Sequence, residues 1–215
     1  AEAFFERFER VVQLAVRHGI RLMPVLFEDC GVDTTPQTRQ DKNPHTAVCT
    51  CSPCRAVQRD PARYAEVDGY VDAFFARYGS DDRLLAIELM NEPHVQNQNV
   101  GFARYVVARA REKGGSVPLT IGCISLWHNL YFEGMLDVYQ YHDNFPGSAA
   151  FLKLEMGEAR GVQEVSGKPC WLTEWQRVRE KGPGWDVAAI PHEDTLPALH
   201  TLADTVYGTG MGSFF

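Results

Sequence analysis

Residues 84–94 read LLAIELMNEPH, an apolar run that passes directly into an amide, an acid and a proline. Six of the first seven residues are apolar, a pattern that predicts a strand buried in the core. Two interpretations fit the end of this strand. In one, the strand reaches the surface and a turn begins at Asn91, a residue type that suits turns. In the other, the strand carries Glu92 to a functional site.

The segments on either side of this run alternate between helix and strand patterns. Helices are predicted for residues 2–19, 61–79, 98–113, 148–166 and around 193–207. Strands are predicted for residues 20–27, 84–91, 117–124, 137–142 and 168–175, and one more begins in 208–215. In the first helix, apolar residues at helical spacing predict one buried face formed by Phe4, Phe8, Val11, Val12, Ala15 and Val16.

This alternation determines the predicted fold class. Strands joined by helices pair in parallel, with the helices packed outside the sheet. Strands that are apolar along most of their length indicate a sheet buried on both faces. The sequence lacks the Gly-rich phosphate loop that a doubly wound sheet usually carries after an early strand. We therefore predict an α/β fold, part of a (β/α)8 TIM barrel with about six strands, as one domain over residues 1–215 with a long loop at 28–60.

Two glutamates occupy the strand ends, where barrels of this kind carry their chemistry. Glu92 and Glu174 each end a short apolar strand, and the two strands are three steps apart in the repeat. This spacing predicts that the two side chains face each other across one mouth. Cleavage of a glycosidic bond needs such a pair, because one carboxyl must protonate the leaving oxygen while the other attacks or directs water. Glu88 lies deeper in the strand, and we expect it to be a buried structural acid.

Other polar and aromatic residues near strand ends are candidates for contacting a substrate. They are Glu28, Asn91, Trp127, Tyr141, His142 and Trp175. Simpler roles remain open for them, because Asn is a common turn former and Trp more often packs in a core or anchors a loop than stacks on a sugar. No cofactor is predicted for this chemistry.

The motifs LMNEP (89–93) and WLTEW (171–175) resemble the acid/base and nucleophile strands of the clan A glycoside hydrolases, in the manner of family 5 cellulases and mannanases. The resemblance implies a retaining reaction through a covalent glycosyl-enzyme intermediate. It further implies that Glu92 is the acid/base and Glu174 the nucleophile. Asn91 would bind the 2-hydroxyl of the sugar, and His142 would contact the substrate.

The sequence also departs from this family pattern. Many members have a Tyr two positions after the His of strand 6, where it contacts the nucleophile, but this chain has Asn144 there. Tyr141 could replace it only if the strand end is irregular. On this likeness the chain holds strands 3 to 8 and is truncated at both ends. A barrel without two strands has unpaired edges, so the alternative is a non-catalytic carbohydrate-binding or remnant protein.

Four of the six cysteines form a separate candidate site, namely Cys30, Cys49, Cys51 and Cys54. Their spacing does not repeat the usual pair of C-x2-C motifs, so structural zinc, disulfides and free thiols all remain open. A zinc site here would make the chain a metal-dependent protein, a third possible class. Cys123 and Cys170 lie in apolar runs and are predicted to be small buried hydrophobic residues.

Composition limits the possible partners. The net charge is −7, and Lys and Arg are scattered along the chain, which argues against nucleic acid and anionic membranes. No apolar run approaches the length of about 20 residues that a membrane span needs. The predicted partner is therefore a carbohydrate substrate, while the oligomeric state stays open. A secreted or periplasmic location is favoured, because polysaccharide hydrolases of this type are often exported.

Overall fold

The computed structural model describes residues 2–29, 32–33, 50–144, 146–175 and 197–214. The α-helices are α1 (Glu2–Arg17), α2 (Arg55–Gln58), α3 (Asp68–Tyr78), α4 (Val100–Lys113), α5 (Ala149–Ser166) and α6 (Leu199–Thr209). The strands are β1 (Ile87–Asn91), β2 (Leu119–Gly122), β3 (Tyr139–Asp143) and β4 (Cys170–Trp175). Short 3-10 helices cover Pro61–Val67, Val95–Asn97 and Leu126–Phe132.

The described strands are parallel, and their spatial order follows the chain. β1 pairs with β2, and β3 pairs with β4. Single parallel bridges join the neighbouring segments at Leu22–Leu84, Val25–Glu88, Cys123–Tyr141 and Leu172–Ser213. Helices separate the consecutive strands, as parallel pairing requires. This is an α/β arrangement whose strand ends all point to one side.

Each of the four strands overlaps its predicted segment, but the prediction of a regular strand at 20–27 is wrong. That segment contacts β1 only through isolated bridges, because Pro24 has no backbone N–H to donate. The carbonyl oxygen of Pro24 accepts a hydrogen bond from the N–H of Glu88. The predicted helix at 61–79 also differs in kind. It begins as a 3-10 helix over Pro61–Val67 and becomes α-helical only from Asp68.

The first helix packs on a narrower face than its pattern predicted. Phe5, Val12 and Ala15 are buried, whereas Phe4, Val11 and Val16 are about half exposed at 47%, 51% and 46%. Residues at spacings of three and four form one stripe of a helix, and Phe8 extends this stripe by packing on Tyr78 of α3, with ring centroids 4.9 Å apart. The predicted face was too wide because it included residues on both sides of this stripe.

The strands form the centre of the core. Ile87, Leu89 and Met90 of β1 are fully buried, so this strand is covered on both faces, as its apolar sequence predicted. From α4, the fully buried Phe102 and Val106 belong to the same apolar core. None of the described helices combines the length and apolarity needed to cross a membrane.

Candidate functional site

The end of β1 is irregular, and this irregularity directs its polar residues. Glu88 pairs with Thr120 of β2, and Asn91 pairs with Gly122. Glu88 and Asn91 are three residues apart, whereas Thr120 and Gly122 are two apart, so β1 contains one extra residue, a β-bulge. Glu92 then has a φ of 47°, in the left-handed region that non-glycine residues seldom adopt. Such strained positions concentrate at functional sites.

Gly122 provides the space for the side chains of this strand. A Cβ atom added to Gly122 would lie 2.3 Å from Glu88 Oε1 and 2.9 Å from Asn91 Oδ1. The side chains of Glu88 and Asn91 therefore cover the same face of β2, although strict alternation would place residues three apart on opposite faces. Any larger residue at position 122 would collide with the Glu88 carboxyl group.

The ends of β3 and β4 bring His142 next to Glu174. Tyr141 is the register partner of Leu172, and His142 is the partner of Glu174. β4 thus also holds one extra residue, Thr173, at this point. The effect is that both His142 and Glu174 reach the side of the sheet where Glu92 lies.

These three side chains form the centre of the site. His142 Nδ1 lies 2.8 Å from Glu92 Oε1 and 3.5 Å from Glu174 Oε2. One nitrogen or oxygen atom from each residue lies within 4.8 Å of the others, so an oxygen of Glu92 is at most that far from an oxygen of Glu174. Retaining glycosidases have their two carboxyl groups about 5–5.5 Å apart and inverting enzymes about 6.5–9.5 Å. The spacing resembles the retaining arrangement.

The electrostatics of the site raise the pKa of His142. Burial lowers the pKa of His142, but its hydrogen bond to Glu92 and the charge of Glu174 outweigh burial and raise this pKa above its ordinary value. When it is protonated, the imidazole between the two carboxylates reduces their repulsion. The two acidic groups can therefore lie close together in a partly buried cleft.

Neighbouring amides orient the other carboxylates. Asn144 Nδ2 donates a hydrogen bond of 2.9 Å to Glu174 Oε2, at the sequence position where the resemblance led us to look for a Tyr. Asn91 Nδ2 donates to both oxygens of Glu28, at 3.2 and 3.0 Å. Glu28 and Asn91 thus form a polar pair where the 22–28 segment meets β1.

Glu88 lies beneath this centre and is buried, as the sequence predicted. Its Oε2 accepts a hydrogen bond of 2.8 Å from Gln140 Nε2. Burial raises the pKa of Glu88 to about 7, with Gln140 and His142 acting in the opposite direction. The carboxyl group therefore holds its proton over a wider pH range than an exposed glutamate.

The aromatic candidates lie in three different environments. Tyr141 is only 1% exposed, and the nearby ionisable groups that influence its pKa are Cys170, Glu155 and Asp143. The structure does not bring Tyr141 to the two glutamates, because it is adjacent to His142 and side chains alternate along a strand. Trp175 is buried at the end of β4, whereas Trp127 is 55% exposed in the 3-10 helix that follows β2.

The sequence did not identify two features beside the site. The sequence does not predict the contact from Asn144 to Glu174, because the two residues are 30 positions apart and lie at the ends of different strands. His94 and His128 lie in the segments that follow β1 and β2, and their ring centroids are 5.1 Å apart. Burial, followed by the proximity of His94, lowers the pKa of His128. The sequence signal for this histidine pair is the position of His94, two residues after Glu92.

Two groups of residues bear on metal binding. Within the described ranges, one cluster of at least three suitable side chains could hold an ion, namely Glu92, His142 and Glu174. Of the cysteine group, Cys30 and Cys49 lie outside the described residues, as does most of the 28–60 loop. Cys51 is buried, and its Sγ lies 3.6 Å from the carbonyl oxygen of Asp29. A zinc site of cysteines stays a prediction.

Several glycoside hydrolases of known structure have a similar α/β fold, at low sequence identity. A GH113 β-mannanase from Alicyclobacillus acidocaldarius is 13% identical with a TM-score of 0.60, and covers 98% of this chain. A Thermobacillus composti GH10 xylanase is 12% identical with a TM-score of 0.58, also over 98% of the chain. An endogalactoceramidase is 17% identical with a TM-score of 0.56, over 84%. These likenesses concern the fold.

The chain spans 52%, 66% and 68% of the endogalactoceramidase, mannanase and xylanase structures, respectively. No protein-family model matches the sequence, and neither does any curated protein.

Proposed function

We propose that this chain is a large part of a retaining glycoside hydrolase that acts on a β-linked polysaccharide or oligosaccharide, built on part of a (β/α)8 barrel. Glu92 is the acid/base and Glu174 the nucleophile. The observation that carries the proposal is the geometry at the strand ends, where His142 lies 2.8 Å from Glu92 and 3.5 Å from Glu174. The clan A fold supports it, and so does the strained backbone of Glu92.

The reaction has two steps. Glu174 attacks the anomeric carbon and forms a glycosyl ester while the bond to the leaving oxygen breaks. The proton of Glu92 passes to that oxygen. Glu92, now ionised, then takes a proton from water, and the oxygen of that water attacks the anomeric carbon and releases Glu174 as a carboxylate. Two inversions at the same carbon retain its configuration.

Neighbouring residues stabilise the ionised nucleophile and hold the acid/base in position. Asn144 donates to Glu174 Oε2, and a hydrogen bond to a carboxylate favours its ionised form. Oε1 of Glu174 is then the attacking atom. His142 holds Glu92 in the cleft through its Nδ1, so the acid stays oriented between the two steps.

Substrate contacts are proposed for the remaining candidates. Asn91, held by Glu28, would bind sugar hydroxyl groups at the floor of the cleft. Trp127 is exposed and is the more suitable aromatic surface for stacking on a sugar, while Trp175 is largely buried and would offer only an edge. Tyr141 has no role in substrate contact in this proposal, because its side chain is buried and, one position before His142, faces away from the two glutamates.

Chemical rescue of the nucleophile tests the assignment. We expect Glu174→Ala to abolish turnover of β-linked oligosaccharides, and added azide to restore it partly with inverted configuration in the product. Glu164→Ala serves as a control, because Glu164 is an exposed acid on α5. Undiminished turnover by Glu174→Ala would overturn the assignment. Oligosaccharide binding by the wild-type chain without any turnover would instead support the carbohydrate-binding alternative.

A further inference from the structure

One imidazole nitrogen and two carboxylate oxygens at the centre of the site lie within 4.8 Å of one another, close enough together to hold a metal ion. Zinc bonds to imidazole nitrogen at about 2.0–2.1 Å and to carboxylate oxygen at about 2.0–2.2 Å. In a tetrahedral site, ligand atoms at those bond lengths lie about 3.4 Å apart. The 3.5 Å between His142 Nδ1 and Glu174 Oε2 already fits this spacing, and the 2.8 Å between Nδ1 and Glu92 Oε1 would widen as zinc replaces the hydrogen bond.

The ligand atoms are held in place by their surroundings. The side chain of His142 is 3% exposed and that of Glu92 15%, so packing restricts both. The amide of Asn144 orients Glu174 Oε2, the same oxygen that faces His142. Outer partners that orient a ligand in this way raise metal affinity. The 41% exposure of the Glu174 side chain keeps the site open to the cleft.

The mixture of ligand types points to a particular ion. One imidazole nitrogen and two carboxylate oxygens suit zinc and similar transition ions, whereas calcium and magnesium prefer oxygen ligands alone. Three protein ligands with a fourth position open to water is also the usual arrangement of an accessible zinc site. The cluster therefore differs from a simple group of acidic residues.

We propose that Glu92, His142 and Glu174 form an exchangeable zinc site inside the cleft, and that zinc bound there blocks hydrolysis. Zinc would take the place of the proton on His142 Nδ1 and keep both carboxylates ionised. Glu92 would then have no proton to give to the leaving oxygen, and Glu174 would be held by the ion. The inhibition rests on the proposed function, but the zinc site does not.

The cysteine group Cys30, Cys49, Cys51 and Cys54 supplies the competing ligands, and the Cys51→Ser/Cys54→Ser variant removes half of that group. Zinc and cobalt binding would be measured on the full chain by thermal unfolding and by the visible spectrum of Co²⁺, with removal by EDTA. We expect one ion per chain, bound equally by the wild type and by the Cys51→Ser/Cys54→Ser variant. Binding should weaken at least about tenfold in Glu174→Gln, a change at a partly exposed side chain that keeps its shape. His142→Ala should show the same loss.

Each outcome decides the proposal. Loss of binding in the cysteine variant, together with a thiolate charge-transfer band in the Co²⁺ spectrum, would overturn it. A chain whose unfolding temperature does not respond to zinc would overturn it as well. Zinc binding that depends on Glu174 in a chain without hydrolytic activity would support the site while contradicting the proposed function. Zinc-inhibited hydrolysis that EDTA restores would support both.

Discussion

His142 Nδ1 lies 2.8 Å from Glu92 Oε1, although the two residues end different strands and are 50 positions apart in the sequence. β1 and β3 are separated by β2, so this contact crosses the mouth of the sheet instead of following one strand pair. The same nitrogen lies 3.5 Å from Glu174 Oε2. His142 thus connects the two acids that the proposed mechanism uses, and the first prediction concerns the acid it contacts most closely.

The loss of activity caused by replacing Glu92 should depend on the leaving group of the substrate. We expect Glu92→Gln to lower kcat on a β-linked oligosaccharide about 10²- to 10⁴-fold, because Gln cannot donate the proton. Aryl glycosides with an acidic phenol as the leaving group should lose far less in the first step, since that oxygen leaves without protonation. Steady-state kinetics on both substrates measure the contrast, with Glu164→Gln as the control. Equal losses on both substrates would contradict an acid role for Glu92.

Asn144 should contribute to catalysis by stabilising the negative charge of Glu174 through its hydrogen bond. A hydrogen bond to a charged group contributes about 1.5–3 kcal/mol, so we expect Asn144→Ala to reduce kcat/KM about 10- to 100-fold. Asn144→Asp should be worse, because a second negative charge would face Glu174 Oε2 from the position that now donates to it. An Asn144→Asp variant that is more active than Asn144→Ala would contradict a role for Asn144 in stabilising the charge of Glu174.

The proton on Glu88 should make stability depend on pH. Its pKa rises from an ordinary 4.5 to about 7 in the folded chain. Between those values the unfolded chain has released this proton and the folded chain still holds it, so the stability contribution falls as pH rises through that window. Glu88→Gln should therefore be more stable than the wild type at pH 8, by up to about 3 kcal/mol, and similar to it at pH 4.

Urea unfolding of both proteins at the two pH values provides the measurement. The difference in stability between wild type and variant isolates the effect of Glu88 from that of other groups that titrate in this range. One such group is Glu155, because burial raises its pKa to about 7 as well. A wild-type chain and a Glu88→Gln variant that lose stability in parallel as pH rises would show that folding does not raise the pKa of Glu88.

The close approach at Gly122 should make that position intolerant of a side chain. We expect Gly122→Ala to destabilise the fold by about 1–3 kcal/mol, because its Cβ would lie 2.3 Å from Glu88 Oε1. Combining it with Glu88→Ala should cost less than the sum of the two single changes. Gly157→Ala is the matched control, since nothing lies within 4 Å of the added Cβ in α5, and it should stabilise by about 0.5–1 kcal/mol. Additive effects of Gly122→Ala and Glu88→Ala in thermal unfolding would refute the proposed collision.

The sequence predicted those features that depend on repeated local patterns. Apolar runs bounded by helices located β1 to β4, and the rule that chemistry lies at strand ends selected Glu92 and Glu174, which the structure brings within 4.8 Å of each other. It could not place Tyr141, because the direction of a side chain depends on strand register. One position along β3 separates a buried Tyr from a His that reaches both acids.

The remaining differences between the predicted and the observed structure depend on contacts between residues far apart in the sequence. Phe4 and Val11 fit a helical apolar pattern, but α1 buries only a narrow stripe, which packs on α3 through Phe8 and Tyr78. Asn144 gained its role from the position of Glu174, which lies 30 residues further along the chain. Neither relationship is encoded in the spacing of nearby residues.

The extra residue in β1 has a consequence for transplanting this site. A regular strand shows consecutive residues to opposite faces, so the letters Asn-Glu-Pro placed at the end of such a strand would present only one of the two polar side chains to a cleft. Here the backbone path, with the bulge after Glu88 and the left-handed turn at Glu92, supplies the second. A regular strand of the same length, without the bulge, would keep the hydrophobic character of β1 while turning Asn91 to the face opposite Glu88. The motif is therefore a property of the main chain as much as of its three letters.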